Sequence, residues 1–330
     1  MALSMFSFVV AFFTALVLTP FWIRKAKSIG LVGKDIHKKK EPLIAEAGGV
    51  AVIFSTLLGI FVYIFINTFI IKTDVHLIEI LGLTLTFLLA GFIGFIDDIL
   101  GWKTGLKQFH KFLLSIPIAI PLMVLNAGTS EMALPVFGSV DFGLFYPLFI
   151  VPLAIIFVTN AFNMLAGYNG LETGNGVIIL TTLAFVIWKT GAFWAAVIAL
   201  IAAFSLLAFW LFNKFPAKIF PGDTLTYSIG ALIVAIAITG NAEKVVFILF
   251  LPYILEFFLK ARGKFQKESF AKLQKNGSLK MPYKKIYSLT HLSLWFLRYF
   301  KENRKVYEKD IVYFLWAIEI ILALIAIFFI

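Results

Sequence analysis

Two adjacent carboxylates stand at the end of a long apolar run, in the stretch GFIDDILG. Asp97 and Asp98 follow a segment of almost purely apolar residues. Paired carboxylates at a membrane interface are unfavourable without a cation beside them, and their oxygens are ligands that Mg²⁺ accepts. On a helix they point about 100° apart, so at most one of them fully faces a given ligand. The pair could merely mark the end of the run, but its setting favours a functional role.

Amide side chains collect in a second stretch, TNAFNMLAGYNGLETGNG, which has four Asn, four Gly and no basic residue. Asn160 and Asn163 lie three residues apart, on one face if the stretch is helical. A glycine-rich turn with Asn side chains is the simpler interpretation, but it needs one Asn rather than four. Neutral amide oxygens suit Mg²⁺ or the edge of a nucleobase. We expect a helix break and close backbone approach to a ligand at the glycines, which are Gly167, Gly170, Gly174 and Gly176.

A third stretch, FPGDT, places Asp223 directly before another apolar run. An Asp there is a good N-cap for the following helix, worth roughly 0.5–2 kcal/mol, and a helix N-terminus also attracts phosphate. The first basic loop, GLVGKDIHKKKEPLIAEAGG, combines four Lys with Asp35 and Glu46, a pattern that by itself indicates only topology and lipid contact. Carboxylates, amides, glycines and lysines together suit a pyrophosphate that carries Mg²⁺.

Long apolar helices must position these stretches. Of the 330 residues, 61% are hydrophobic and 14% are charged, and Cys is absent. This composition excludes a soluble enzyme, a disulfide scaffold and a disordered chain. A membrane-crossing helix takes roughly 20 apolar residues, so hydropathy predicts an all-α polytopic integral membrane protein with about ten spans and a single catalytic domain, residues 1–330. We expect the spans near residues 3–23, 48–71, 77–96, 109–125, 142–159, 176–188, 192–212, 224–240, 245–259 and 311–330.

Basic residues segregate to alternate loops between these spans. Of the 29 Lys and Arg, 26 fall in the odd-numbered loops when Lys111, at the start of the fourth span, is counted with the third loop. These loops are therefore predicted to be cytoplasmic, together with every stretch described above. The loop at 260–310 is the only sizeable extramembrane segment, and its part 286–297 is predicted to be an interfacial amphipathic helix. The net charge of +11 is spread between hydrophobic runs, which favours membrane lipids and anionic substrates over nucleic acid.

The motifs GFIDDILG, NAFNMLAGYNGLETG and FPGDT, in this order, resemble the polyprenyl-phosphate N-acetylhexosamine-1-phosphate transferases. The second motif looks most like the eukaryotic and archaeal branch, which uses UDP-N-acetylglucosamine and dolichyl phosphate. The resemblance implies an enzyme that moves a sugar phosphate from a UDP-sugar to a polyprenyl or dolichyl phosphate and releases UMP, the first step of lipid-linked glycan assembly. It also implies Mg²⁺, with Mn²⁺ as the alternative metal, and a homodimer.

Carried over residue by residue, the resemblance assigns four groups of residues. It implies that Mg²⁺ is held by Asn163 and Asp223. It implies nucleotide binding by Lys34, Ile36, Glu46, Asn169 and Phe220, and a place beside the reacting phosphates for Asp97, Asp98 and Lys107. Phosphate and sugar binding fall to Asn160, Arg262, Lys264 and Lys267. The last three are candidates only, because the loop at 260–310 lacks the compact basic or His-rich motif of the family and aligns in more than one way.

Two mechanisms and a rival function remain open at this point. The lipid phosphate could attack the β-phosphorus directly, with Asp97 or Asp98 orienting it or removing its last proton. Alternatively, a covalent aspartyl-phosphate could form first. The sugar could also be a modified or muramyl-type one. The rival function is a transporter or flippase for an anionic lipid or nucleotide sugar, but transporters place ionisable residues near the midplane, where only Glu256 and Glu319 are expected here.

Overall fold

The computed structural model describes residues 2–73, 76–101, 108–134, 138–301 and 305–328, and most of them are helical. In chain order the helices are α1 (Ala2–Ser28), α2 (Gly49–Phe65), α3 (Leu77–Leu100), α4 (Gln108–Leu114), α5 (Ile116–Val124), α6 (Val151–Met164), α7 (Leu171–Thr190), α8 (Phe193–Asn213), α9 (Gly222–Thr239), α10 (Glu243–Leu249), α11 (Leu251–Arg262), α12 (Leu289–Phe300) and α13 (Glu308–Phe328). Short π-helical segments follow α2 and precede α6, at Ile66–Ile71 and Tyr146–Ile150. Three antiparallel hairpins pair β1 (Val32–Lys34) with β2 (Leu43–Ala45), β3 (Glu131–Leu134) with β4 (Gly138–Asp141), and β5 (Lys272–Leu273) with β6 (Leu279–Lys280).

The prediction of an all-α polytopic membrane protein is confirmed. Within the described residues, eight helices are long and apolar enough to cross a membrane, and they coincide with eight of the predicted spans. The fourth predicted span is a shorter apolar helix, His110–Val124, and the ninth is divided into α10 and α11 at Phe250. Pro117 and Pro252 lie beside these interruptions, where the missing proline N–H weakens the helical hydrogen-bond ladder. The count of ten spans stays a prediction.

The glycines of the second polar stretch divide into two kinds. Gly167 and Gly170 have φ angles of +100° and +85°, a left-handed conformation that suits glycine, and they separate α6 from α7 as predicted. Gly174 and Gly176 lie inside α7, so the prediction that they break a helix is wrong. Their role is packing, because a Cβ on Gly174 would lie 2.3 Å from the ring of Trp316.

Helix α9 forms the centre of the bundle, and almost all of its residues are buried. Helices α3 and α6 pack along it, α7 packs against α8, α1 packs against α2 and α8, and α13 packs against α7. Gly94 in α3 permits the closest approach, because a Cβ there would lie 2.2 Å from the backbone oxygen of Asp223. The backbones of α3 and α9 therefore meet where the first and third polar stretches lie.

We expect Gly94→Ala to lower the apparent melting temperature of the detergent-solubilised protein. The new methyl group meets a backbone carbonyl of α9 that cannot rotate away, and overpacking of this kind costs about 1–3 kcal/mol. Gly91→Ala is the matched control on the same helix, because its methyl group meets the tip of the Ile53 side chain, which can rotate. Tryptophan fluorescence during heating measures both. Equal melting temperatures for Gly94→Ala and the unmodified protein would contradict the close approach.

Even-numbered loops meet at one end of the bundle, and odd-numbered loops meet at the other end. At one end, the Thr129 hydroxyl donates to the side-chain oxygen of Asn241 over 3.0 Å, joining the fourth and eighth loops. At the other end, Ala45 and Ile219 form an isolated parallel bridge between the first and seventh loops. The polar stretches therefore collect at one end, as the alternation of basic residues requires.

The amphipathic helix predicted in the loop at 260–310 is present as α12, although it begins at Leu289 rather than Ile286. Ser288 is its N-cap, since its hydroxyl oxygen accepts a hydrogen bond from the N–H of Thr290 over 3.3 Å. Its position at the membrane surface stays a prediction, which is supported by exposed aromatic side chains, among them Trp295, Tyr299 and Phe300.

The buried carboxylate of Glu256, in α11, has a structural partner. It accepts hydrogen bonds from the N–H of Leu289 over 2.5 Å and from the hydroxyl of Ser288 over 3.1 Å. A negative charge at a helix N-terminus is stabilised by the unpaired N–H groups and the helix dipole. Glu256 therefore fixes the start of α12 against α11.

Candidate active site

A cavity of about 340 Å³ lies where the odd-numbered loops meet. Each of these five loops, or a helix end beside it, contributes to its lining, in order Lys34, Asp97, Asn163, Asp223 and Phe270. The volume is in the range of small-molecule binding sites, roughly 300–1,000 Å³. All three polar stretches chosen from the sequence therefore line one concave site, which we term the site cavity.

A lysine joins two of its carboxylates. The Nζ atom of Lys111 lies 2.7 Å from Oδ2 of Asp97 and 2.5 Å from Oδ2 of Asp223. These ion pairs fix the end of α3, the short helix α4 and the start of α9 around one charge. Lys107, predicted at this position, lies outside the described residues. The sequence reasoning missed Lys111, although it is the only Lys or Arg within the predicted span 109–125, and a charge inside a span indicates a functional site.

Asp98 also lines the site cavity, but its carboxylate binds the N-terminus of α9. Its carboxylate accepts hydrogen bonds from the N–H of Asp223 over 2.7 Å, from the N–H of Thr224 over 3.0 Å and from the Thr224 hydroxyl over 2.6 Å. Gly222 makes room for it, because a Cβ there would lie 2.2 Å from Oδ2 of Asp98, and its φ of +72° suits glycine. Asp97 and Asp98, adjacent in sequence, thus have different partners.

The interpretation of Asp223 as an N-cap is wrong. Helix α9 begins at Gly222 with Pro221 at its N-cap position, so Asp223 already lies in the first turn of the helix. Asp98 supplies the capping oxygens from another helix. This leaves the carboxylate of Asp223 available to Lys111 and to Asn163, whose side-chain amide donates to Oδ2 of Asp223 over 3.1 Å.

A divalent cation fits the oxygen atoms of Asp223 and Asn163. The donor Nδ2 of Asn163 is held by Asp223, so the amide orientation leaves Oδ1 of Asn163 as an acceptor next to the carboxylate. Across the described ranges, no three His, Cys, Asp or Glu side chains form a metal-binding group. Mg²⁺ typically uses one or two protein carboxylates and fills its remaining positions with water and phosphate oxygens. The two residues therefore suit a metal that arrives with a phosphorylated substrate.

Asn160 differs from Asn163, because its side chain is fully engaged within the protein. Its amide nitrogen donates to the Ser115 hydroxyl over 3.0 Å and to the Ile156 carbonyl over 2.8 Å, and its oxygen accepts from the Tyr227 hydroxyl over 3.1 Å. These contacts join α5, α6 and α9 beside the site. The predicted phosphate or sugar contact of Asn160 remains untested.

The five residues predicted to bind the nucleotide all line the other half of the site cavity, namely Lys34, Ile36, Glu46, Asn169 and Phe220. The side chain of Lys34 is exposed, and its Nζ lies 3.7 Å from the Glu41 carboxylate. The predicted nucleotide contact of Lys34 stays a prediction. The backbone of Phe220 is held by its neighbour loop, since its carbonyl accepts from the N–H of Gly48 over 2.9 Å and its N–H donates to Ala45.

Glu46 lies against the first hairpin, where a Cβ on Gly33 would be 2.0 Å from Oε1 of Glu46. Burial raises the pKa of the Glu46 carboxyl, and the nearby charge of Asp223 raises it further. The folded protein therefore holds this proton at a pH where the unfolded chain has released it, and the free energy of unfolding falls as the pH rises above the ordinary value of 4.5.

We expect Glu46→Gln to abolish this fall in the free energy of unfolding with rising pH. In a metal-free buffer, the melting temperature of the variant should match that of the unmodified protein near pH 4 and exceed it by a few degrees near pH 8, since only the unmodified protein has a charge there. Thermal unfolding in detergent across this range measures the difference. Glu41→Gln, on the exposed tip of the same segment, is the control and should show no such trend. A difference that shrinks as the pH rises would overturn the assignment.

A second cavity of about 360 Å³ adjoins the first and shares Asn163 and Asp223 with it. Lys267, one of the three basic candidates, lines this adjoining cavity together with Lys260. Neither cavity has Arg262 or Lys264 in its described lining. The Arg262 guanidinium instead lies 5.9 Å from the ring centre of Tyr287. The structure thus brings one of the three candidates to the site and adds Lys260, which the sequence did not indicate.

Tyr168 connects the two cavities to the loop at 260–310. Its hydroxyl donates to the carbonyl of Ser269 over 3.4 Å and accepts from the N–H of Ala271 over 3.1 Å. Phe270, between these two residues, lies over Gly167, where a Cβ would be 2.8 Å from its ring, and lines both cavities. Burial raises the pKa of the Tyr168 hydroxyl, so it remains a neutral donor and acceptor.

Comparison with known proteins gives one matching family and several named relatives. Residues 80–241 match the sequence profile of glycosyl transferase family 4. A Saccharolobus solfataricus protein, provisionally named UDP-N-acetylglucosamine–dolichyl-phosphate N-acetylglucosaminephosphotransferase, is 40% identical over 321 residues, covering 96% of this chain and 94% of that protein. A Sulfolobus acidocaldarius protein with the same provisional name is 34% identical over 98% of this chain and 95% of its own length. The Saccharomyces cerevisiae UDP-N-acetylglucosamine–dolichyl-phosphate N-acetylglucosaminephosphotransferase is 31% identical over 69% of this chain and 60% of its own length.

Proposed function

The chain belongs to glycosyl transferase family 4, and from this membership we propose that it transfers N-acetylglucosamine-1-phosphate from UDP-N-acetylglucosamine to a dolichyl or polyprenyl phosphate. UMP is the second product, and the reaction is the first step of lipid-linked glycan assembly. The archaeal and yeast relatives are named for this reaction. A transporter or flippase is not favoured, because these relatives are named as transferases.

One observation carries the proposal. Lys111 lies between Asp97 and Asp223, with the amide of Asn163 beside them, at the junction of two cavities. Phosphoryl transfer needs positioned charge more than it needs covalent help from the protein. One side of the site cavity has an aromatic ring and amides, which suit a nucleoside. The other side has the charged cluster, which suits the diphosphate.

The residues of this chain account for the steps of a direct displacement. A phosphate oxygen of the lipid attacks the β-phosphorus, and a new P–O bond forms. The bond from the β-phosphorus to the bridging oxygen breaks, and UMP leaves with its electron pair. Asp97 orients the acceptor phosphate through Lys111, which offsets the phosphate charge. An acceptor monoester is mostly ionised at neutral pH, since its second pKa is about 6, so little proton removal is needed.

Mg²⁺, or Mn²⁺, would be held by Asp223 and Asn163. When bound, the metal neutralises charge on the pyrophosphate. Asn163 donates to Asp223 and thereby fixes the carboxylate orientation before substrate arrives. The oxygen atoms of these two side chains would be the protein's contribution to the metal.

The proposal is tested with purified protein, labelled UDP-N-acetylglucosamine, dolichyl phosphate and Mg²⁺. We expect equal amounts of labelled lipid and UMP, and loss of both when EDTA is added. Unmodified turnover in EDTA would refute the metal, and absence of both products would refute the reaction. Incubation with the UDP-sugar labelled in its β-phosphate and no acceptor separates the two mechanisms, since a labelled protein would contradict direct displacement.

We also propose that the site cavity faces the cytoplasm, because 26 of the 29 basic residues belong to the loops predicted to be cytoplasmic, counting Lys111 with the third loop. The absence of Cys allows a clean test by single cysteine substitution. Lys39→Cys lies in the exposed first loop and Ser139→Cys in the β3–β4 hairpin at the opposite end. A membrane-impermeant maleimide applied to intact cells should label Ser139→Cys and leave Lys39→Cys unlabelled until the cells are opened. The reverse pattern would invert the orientation.

A further inference from the structure

Asn169, in the nucleotide half of the site cavity, is bound by two carboxylates from distant parts of the chain. Its backbone N–H donates to Oε1 of Glu308, the first residue of α13, over 2.9 Å. Its side-chain nitrogen donates to Oδ2 of Asp35, just after β1, over 3.1 Å. Asp35, Asn169 and Glu308 are each at most 5% exposed. Buried polar contacts of this kind hold a side chain in one orientation.

Lys38 joins the two carboxylates into one unit. Its Nζ lies 2.5 Å from Oε2 of Glu308 and 3.3 Å from Oδ2 of Asp35, and 4.1 Å from the centre of the Phe215 ring. Because Lys38 contacts both acids, and the Nδ1 atom of His37 lies 3.8 Å from Oε1 of Glu308, these charged side chains form one unit, which we term the carboxylate clamp (Asp35, Lys38 and Glu308). It connects the first loop to the start of the last helix.

The clamp dictates which atom of the Asn169 amide faces the ligand. A carboxylate paired with a lysine can only accept hydrogen bonds, so the amide atom next to Asp35 must be the nitrogen. The side-chain oxygen, Oδ1, then remains for the site cavity. Among the described residues, no donor contacts Oδ1, and Asn169 lines the cavity.

We propose that the carboxylate clamp selects the nucleobase by presenting Oδ1 of Asn169 as a fixed acceptor. This inference rests on the proposed function, since it assumes a UDP-sugar in the site cavity. Uracil has an N–H donor at N3, in the middle of its pairing edge, whereas cytosine has a bare acceptor nitrogen there. A fixed acceptor therefore favours uracil and repels the ring nitrogen of cytosine. Asp35, Lys38 and Glu308 are positioning residues, which act on the substrate through Asn169.

Asp35→Asn tests the clamp. An amide at position 35 can donate as well as accept, so the Asn169 side chain can turn and present either atom to the base. We expect the preference for UMP over CMP, measured by calorimetric titration of the full-length protein in detergent, to fall about three- to tenfold, the worth of one hydrogen bond. The KM for UDP-N-acetylglucosamine should rise by a similar factor, while kcat at saturating substrate changes less than about twofold.

Two further variants keep the test decisive. Glu41→Gln removes an exposed carboxylate from the same segment, outside the clamp, and should retain the full base preference. Glu308→Gln retains an acceptor for the Asn169 N–H but lowers the charge that holds Lys38, and should weaken the preference in the same direction. It replaces Asp35→Asn as the test if that variant fails to fold.

The outcomes separate the clamp from the reaction. An unchanged ratio of UMP to CMP binding in a folded Asp35→Asn or Glu308→Gln variant overturns the clamp, even if the unmodified protein transfers sugar phosphate. A loss of base preference in both variants supports the clamp, even if the unmodified protein makes no labelled lipid. In that case only the proposed function fails, because nucleotide binding is measured without turnover.

Discussion

Replacing Asp223 by Asn is expected to lower turnover of UDP-N-acetylglucosamine about a thousandfold, the scale of losing one preorganised electrostatic contact at a reacting phosphate. The carboxylate of Asp223 pairs with Lys111, accepts from Asn163 and is the sole acid that both cavities share within the described lining. The amide retains the size of the side chain but removes its charge and one of its acceptors. We therefore expect a folded, membrane-inserted and nearly inactive protein.

Steady-state measurement of labelled lipid with saturating acceptor gives this result directly. Asp141→Asn is the matched control, since it makes the same chemical change in an exposed turn at the opposite end of the bundle and should leave turnover unchanged. Elution from a sizing column and melting temperature confirm folding of both variants. Turnover of Asp223→Asn within tenfold of the unmodified protein would remove Asp223 from the reaction.

Asp97→Asn and Asp98→Asn should fail for different reasons. Asp97 contacts Lys111 at the site cavity, so its loss should lower kcat about a hundredfold or more with little change in melting temperature. Asp98 accepts three hydrogen bonds at the N-terminus of α9. An Asn there turns an amide towards these donors, and loss of such a cap costs roughly 0.5–2 kcal/mol. The expected result for Asp98→Asn is a lower melting temperature together with lower activity.

The two variants are compared by plotting melting temperature against turnover. Thr224→Val removes only one of the three donors to Asp98 and should resemble a mild Asp98→Asn, with a smaller loss of stability. Equal melting temperatures for Asp97→Asn and Asp98→Asn would contradict the division of roles. A fully active Asp97→Asn variant would show that the acceptor phosphate does not bind beside Asp97.

Hydropathy is sufficient to predict the helices, because each span must cover roughly 20 residues of membrane whatever its neighbours are. The alternation of basic loops likewise brings the polar stretches to one end without knowledge of packing. The helix breaks at Phe250 and Ser115 are harder to predict from the sequence, since a proline can be accommodated or can divide a helix depending on the helices beside it. Gly174 and Gly176 illustrate the same limit, because their use as packing surface for another helix has no local signal.

The partners of the site residues depend on tertiary contacts. Asp223 after a proline and a glycine has the local pattern of an N-cap, yet Asp98, 125 residues away, supplies the capping oxygens. Lys107 and Lys111 are four residues apart in the sequence, and this spacing alone does not indicate that Lys111 reaches the acids. Glu256 is similar, because its partners, the N–H of Leu289 and the hydroxyl of Ser288, lie at the start of another helix, α12.

The carboxylate clamp closes a loop in the chain that is almost as long as the chain itself, since Lys38 and Glu308 are 270 residues apart. During synthesis, Lys38 and Asp35 leave the ribosome early and must wait for the last helix to enter the membrane. Until then the Nζ atom of Lys38 and the backbone N–H of Asn169 both lack their acceptor, the Glu308 carboxylate. The base preference that we propose for the clamp is therefore complete only once α13 is in place.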